Sequence, residues 1–232
     1  KKYEEETNLR CQIIIDTSSS MFYPQVKNPS LSNPNKILYS VYSSAALMNL
    51  FKKQRDSVGL SLYSDDLYFH SPNKGSNKHH IFLKKRMLDV LCSTTQFKTT
   101  SSVDSIHKIA SKLQKRSLVL LFTDMLDGSE DLSEIFLALQ HLKFQKHEVV
   151  LFYLSEEKTE FQLRFPNTPH NFIDIETKEE IKLNPIEIRE SFKNKSKSFL
   201  KDLKIRCLQH KIDLVEVDIN KGVEQILISY LT

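Results

Sequence analysis

The chain is predicted to form an α/β fold: a doubly wound, mostly parallel six-stranded sheet with one antiparallel edge strand, helices on both faces, and a small β-hairpin near residues 171–183. Three observations lead there. Short runs such as Ile13-Ile14-Ile15, Leu118 to Phe122 and Val149 to Phe152 are almost continuously apolar, and strands of that kind need cover on both faces. Segments with helical spacing of apolar residues lie between them, as with Leu38, Val41, Ala45 and Met48. Strand and helix alternate along most of the chain, an order that implies parallel strands joined by crossover helices.

Taken in order, the first strand is expected over 11–16, followed by a loop containing Pro24, Pro29 and Pro34. A helix then covers about 35–53. Strands at 57–63 and 67–70 flank Asp65-Asp66, a turn signal that pairs them as an antiparallel hairpin. Helices follow at about 79–91 and 102–114, with the His79-His80 pair expected to be exposed ahead of the first of them. A strand at 117–123, a helix at 130–142 and a strand at 147–154 continue the alternation. The hairpin comes next, with strands at 171–176 and 179–183 turning at Thr177-Lys178. A long helix over 186–210, a strand at 212–218 and a helix at 221–231 complete the pattern. In the long helix, lysines alternate with Phe192, Phe199, Leu200 and Leu203, the mark of a solvated amphipathic face.

Length and composition agree with one domain spanning residues 1–232. The opening Lys1-Lys2-Tyr3-Glu4-Glu5-Glu6 suggests the C-terminal part of a longer protein. Hydrophobic residues make up 40% of the chain, and the net charge of +4 is small and dispersed. That balance argues against a nucleic-acid partner. Cys11, Cys92 and Cys207 have neither metal-ligand nor disulfide spacing. No leader or membrane-spanning segment is evident, so a reducing cytoplasm is the expected setting.

The chemistry concentrates where strands end. The first strand stops abruptly in Asp16-Thr17-Ser18-Ser19-Ser20, placing oxygen-bearing side chains at alternating positions 16, 18 and 20. Magnesium takes oxygen ligands in near-octahedral geometry, and a carboxylate with two hydroxyls is a partial set. Further donors must come from neighbouring loops at the carboxyl ends of the strands. The strand ending at Thr123 is followed by Asp124. Between the two strands, Thr99, Thr100, Ser101 and Ser102 precede a helix. Each of these has a plain structural reading, as a helix N-cap or a turn residue. Three oxygen-rich loops in this order favour a shared cation site. Setting Ile106 and Ile109 on the buried helix face selects Thr100 as the middle-loop donor, with Thr99 and Ser101 as open alternatives.

The pattern Asp-x-Ser-x-Ser after a hydrophobic strand is that of a metal-ion-dependent adhesion site (MIDAS). With the strand–helix order and the edge hairpin, the chain resembles a von Willebrand factor A (vWA) domain. It resembles more closely the bacterial domain-of-unknown-function family 58, members of which often accompany MoxR-type AAA+ ATPases. The residues that carry this are Glu4-Glu5-Glu6-Thr7-Asn8-Leu9, Asp124-Met125-Leu126-Asp127, and Asp174-Ile175-Glu176-Thr177 with Asn184-Pro185; the resemblance covers 4–231. Where that family reads Gly-Gly-Thr-Asp, this chain reads Lys98-Thr99-Thr100-Ser101. The resemblance implies a metal site of Asp16, Ser18, Ser20, Thr100 and Asp124, with Mg2+ (or Mn2+) bound directly by the hydroxyls. Asp16 and Asp124 would act largely through water. It implies a protein partner supplying an Asp or Glu, an AAA+ ATPase being one candidate, and no enzymatic step.

The competing classes are an Mg2+-dependent phosphoryl-transfer enzyme and a scaffold whose metal site has decayed. A haloacid-dehalogenase-type phosphatase needs a second carboxylate two residues after the first, and position 18 is Ser. No Gly-x-Ser-x-Gly elbow occurs. The four glycines, Gly59, Gly75, Gly128 and Gly222, rule out Gly-rich phosphate loops. The insertion from Phe22 to Asn33 is either a surface loop or a lid beside the site. The Asp65-Asp66 turn, on the same edge of the sheet, would add negative potential there.

Overall fold

The computed structural model describes residues 9–92, 102–125, 132–173 and 179–226. Its strands are β1 (Arg10–Asp16), β2 (Ser57–Tyr63), β3 (Leu67–Lys74), β4 (Leu118–Thr123), β5 (Glu148–Ser155), β6 (His170–Ile173), β7 (Glu180–Leu183) and β8 (Asp213–Asp218). Its helices are α1 (Lys36–Lys53), α2 (Asn77–Cys92), α3 (Ser102–Lys112), α4 (Ser133–Phe144) and α5 (Pro185–Gln209). The most apolar strand, β1, is central, as its composition requires. It is buried from Cys11 onward and pairs in parallel with β2 on one side and β4 on the other. The six-stranded order is β3-β2-β1-β4-β5-β8, and β3 is the one antiparallel member, at an edge. β6 and β7 form the separate hairpin.

Side chains along a strand point alternately to opposite faces, so β1 serves two cores. Ile13 and Ile15 pack with Leu47 and Phe51 of α1 and with Leu83 and Met87 of α2. Ile14 packs with Ile106 of α3, Leu139 of α4, and Leu203 and Cys207 of α5. Burying an aliphatic side chain of this size stabilises the fold by about 1.5–3 kcal/mol. Helix starts are set locally. Asn35 accepts the Leu38 N–H and caps α1. Asn184 caps α5, with Pro185 at the first helical position. The lysines of α5 are exposed and its fully buried residues are Pro185, Leu203 and Cys207, which is the solvated face the sequence predicts.

The structure alters several details. β3 runs eight residues and contains Pro72; an edge strand tolerates a residue that cannot donate to a ladder. α2 begins at Asn77, and His80 is 3% exposed, so the expectation of an exposed pair is corrected. Position 80 shares a helical stripe with buried Leu83, Met87 and Val90, at the three- and four-residue spacing of one helix face. Of the predicted hairpin, strand is seen over His170–Ile173 and Glu180–Leu183, and 174–178, with the turn at Thr177-Lys178, lie outside the described residues. Of the C-terminal helix, residues 224–226 are helical, and 227–231 are likewise outside. A 3-10 turn (Ser19–Phe22) and a single π-helical turn (Glu157–Phe161) have no counterpart in the sequence pattern. Among the described residues no helix is long and apolar enough to cross a membrane.

Candidate functional site

β1 leads on to α1 and β2, whereas β4 leads to α4 and β5 on the other side of the sheet. The carboxyl ends of β1 and β4 therefore flank a topological switch point, where open α/β sheets place their ligands. Asp16 ends β1 and Asp124 follows β4. Both are 1% exposed, and Ser18 and Ser20 are buried beside them.

The loop after β1 holds itself in shape. The Ser18 N–H donates to Asp16 Oδ1 at 2.9 Å, and the Met21 N–H donates to the Ser18 carbonyl, winding the 3-10 turn. That turn brings the Ser18 and Ser20 hydroxyls within 3.1 Å of each other. Asp16 Oδ2 accepts from Thr123 Oγ1 at 2.8 Å and from the Tyr63 hydroxyl at 3.3 Å. Burial raises the Asp16 carboxyl and the Asp124 charge adds to this. Hydrogen bonds from Ser18 and Thr123 oppose both, leaving it pushed up to about 7. Burial, with Asp16 nearby, likewise raises the Tyr63 phenol, while Thr123 and Ser102 partly offset the rise.

Asp124 is held differently. The Lys36 ammonium, 0% exposed at the first position of α1, donates to Asp124 Oδ2 at 2.7 Å and to Glu160 Oε1 at 2.6 Å. Burial alone would lower the pKa of Lys36, but Asp124 and Glu160 outweigh it and push it up to about 12. Glu160 belongs to the π-helical turn and also accepts the Glu156 N–H. Burial raises its carboxyl, and Lys36 opposes the rise. Tyr23 lies against this group: its hydroxyl donates to Thr159 Oγ1 at 2.6 Å, and its ring centroid is 5.7 Å from Lys36 Nζ. The start of the 22–33 insertion is thus pinned to the π-helical turn, while residues 27–33 are exposed. A cavity of about 290 Å³ opens beside Asp124 and is lined also by Tyr153, Glu160, Phe161, Phe192 and Phe199.

The structure gathers Asp16, Ser18 and Ser20 in one loop, with Asp124, after the adjacent strand, near enough for its charge to act on the Asp16 carboxyl. Thr100, with Thr99 and Ser101, lies outside the described residues. Ser102, which follows them, is 3% exposed and acts on the Tyr63 phenol, so α3 begins at this site. Asp66 of the Asp65-Asp66 turn is paired with Lys108 at 2.6 Å on the surface. Sequence reasoning missed Lys36, Glu160, Tyr63 and Thr123. Lys36 carried a signal: a cation in the first turn of a helix opposes the helix dipole and calls for a local anion. Glu160 had none, because a single π-helical turn leaves no periodicity to read.

The donors are of the kind a small hard cation takes, and the Ser18 and Ser20 hydroxyls are 3.1 Å apart. Magnesium–oxygen distances of about 2.0–2.1 Å put adjacent octahedral ligands roughly 3 Å apart, close to the separation of the two hydroxyls. Among the described residues no group of three or more His, Cys, Asp and Glu could hold a metal ion. A cation at this point would therefore depend on serine oxygens.

A parallel sheet with one antiparallel edge, and a loop of this composition at the switch point, define a von Willebrand factor A-type fold. The fold is similar to that of the conserved hypothetical protein BatB from Bacteroides thetaiotaomicron (TM-score 0.54, 15% identity, 96% of each chain covered). An aerotolerance-related membrane protein from Bacteroides fragilis is similar too, with a TM-score of 0.55 and 13% identity over 96% of this chain and 98% of that one. The VWA domain of SpRpn10 follows with a TM-score of 0.50 and 11% identity, over 96% and 95% of the two chains. At these identities the likeness is one of fold. No curated protein matches the chain in sequence. The chain belongs to DUF58, a family described as of unknown function, whose profile matches residues 1–199.

Proposed function

We propose that this chain is a protein-binding module that engages an Asp or Glu of its partner through a magnesium ion, with manganese as a substitute. The observation that carries this reading is the Ser18–Ser20 hydroxyl pair, 3.1 Å apart, with Asp16 and Asp124 behind it at the switch point. Ser18 and Ser20 would hold the ion, with Thr100 completing the hydroxyl set and Asp16 and Asp124 orienting it. When bound, the ion supplies an electrophilic position that accepts a carboxylate. Neutral hydroxyls suit that role because they leave the positive charge little compensated. Asp16 is committed to Ser18, Thr123 and Tyr63, which keeps the serine loop in its liganding shape. The cavity beside Asp124 offers Tyr153, Phe161 and Phe199 to apolar side chains flanking the partner's acid. No catalytic step belongs to this reading.

The family resemblance makes a MoxR-type AAA+ ATPase the first partner to seek. The cysteines Cys11, Cys92 and Cys207 are free, which suits a reducing cytoplasm. Capture of partners from the source cell, with magnesium and then with EDTA, tests the proposal together with Ser18→Ala. Chelation and the substitution should each weaken capture about tenfold or more. Equal capture under all conditions would sink the reading.

A further inference from the structure

The hydroxyl loop and the two aspartates account for a cation site by themselves, yet a cation is already built into it. Lys36 is fully buried, and its ammonium bridges Asp124 and Glu160 at 2.7 and 2.6 Å. The two carboxylates come from different elements, the end of β4 and the π-helical turn. Tyr23 closes over the ammonium. A lysine is costly in such a place unless paired, and the helix dipole at the start of α1 adds to the cost. Structural neutralisation of Asp124 alone would need one carboxylate; the second gives the ammonium somewhere else to go.

Resting on the metal-site reading above, we infer that Lys36 is a tethered competitor for the divalent cation. In the metal-free protein its ammonium neutralises Asp124. A dication beside Asp124 and an ammonium in contact with the same carboxylate repel each other. Filling the site therefore shifts the ammonium toward Glu160, which keeps it paired in either state. Glu160 is thus the resting place that makes metal entry possible. Occupancy becomes coupled to the π-helical turn, whose Phe161 lines the cavity beside Asp124. The site's affinity is set by the balance between two carboxylates for one lysine, and metal binding is read out on the surface next to it.

The test measures Mn2+ binding by electron paramagnetic resonance and calorimetry on the wild-type chain and on Lys36→Met, Glu160→Gln and Ser18→Ala. Lys36→Met should bind Mn2+ about tenfold more tightly or better, because the competing charge is gone. Glu160→Gln should bind about tenfold more weakly, because the ammonium is left to Asp124. Opposite shifts exclude general damage, which would weaken both. If Lys36→Met fails to fold, Glu160→Gln decides alone, and wild-type or tighter binding overturns the inference. Equal affinity in wild type and Lys36→Met also overturns it, while Ser18→Ala abolishing binding would leave the metal-site reading standing. Binding untouched by Ser18→Ala, or absent from every variant, overturns both.

Discussion

Asp16 and Asp124 end adjacent parallel strands, are equally buried, and are stabilised by opposite means. Asp16 is surrounded by neutral donors: the Ser18 N–H and the hydroxyls of Thr123 and Tyr63. Asp124 meets a full positive charge on Lys36. Neutral dipoles spread a negative charge without cancelling it, so the Asp16 carboxyl stays pushed up to about 7. An ammonium cancels the charge, but only while the lysine is itself held, which is what Glu160 does. The first arrangement takes one donor from its own loop and two from neighbouring strands, 47 and 107 residues away in the chain. The second draws on three elements far apart in the chain, and it gives the site a movable part.

The comparison breaks most severely at Lys36. Lys36→Met takes the cation away from buried Asp124 and half-buried Glu160, and removal of one partner of a buried ion pair typically costs about 3–5 kcal/mol. Urea unfolding in EDTA should show a loss of that size; a loss below about 1 kcal/mol would mean that the lysine is not the partner on which Asp124 depends. Asp16 should reveal itself through pH. Its folded pKa lies above the unfolded value of about 3.9, so between pH 4 and 7 the folded state holds the proton that the unfolded state releases. Metal-free stability should therefore fall as pH rises through that window, by up to about 1.4 kcal/mol per pH unit. In Asp16→Asn the slope should flatten, and an unchanged slope would assign it to other groups. The smallest effect belongs to Tyr63→Phe. It removes one 3.3 Å hydrogen bond to Asp16 and should cost about 0.5–1.5 kcal/mol in thermal unfolding, against several for the lysine.

Much of this was legible in the residues. The run from Ile13 to Ile15 demanded a central strand, the Asp65-Asp66 turn demanded an antiparallel neighbour, and the alternation of elements demanded a doubly wound sheet. Asp16, Ser18 and Ser20 announced themselves because a strand that ends in spaced oxygens is a local pattern. Asp124 followed by the same logic on the next strand. His80 misled because the sequence pattern sets it ahead of the helix; inside α2 it stands three and seven residues before Leu83 and Met87, on the face turned to the core.

The sequence by itself determined the layers, the strand that lies at the centre and the loops that carry oxygen, since these follow from periodicity and from the chemistry of residues close together in the chain. Only the tertiary structure decided which charges meet. Lys36, Asp124 and Glu160 are joined across separations of 88 and 124 residues, and no local pattern encodes such a meeting. It arises because the sheet brings the start of α1, the end of β4 and the turn after β5 to one edge, where a buried charge has to find its partner.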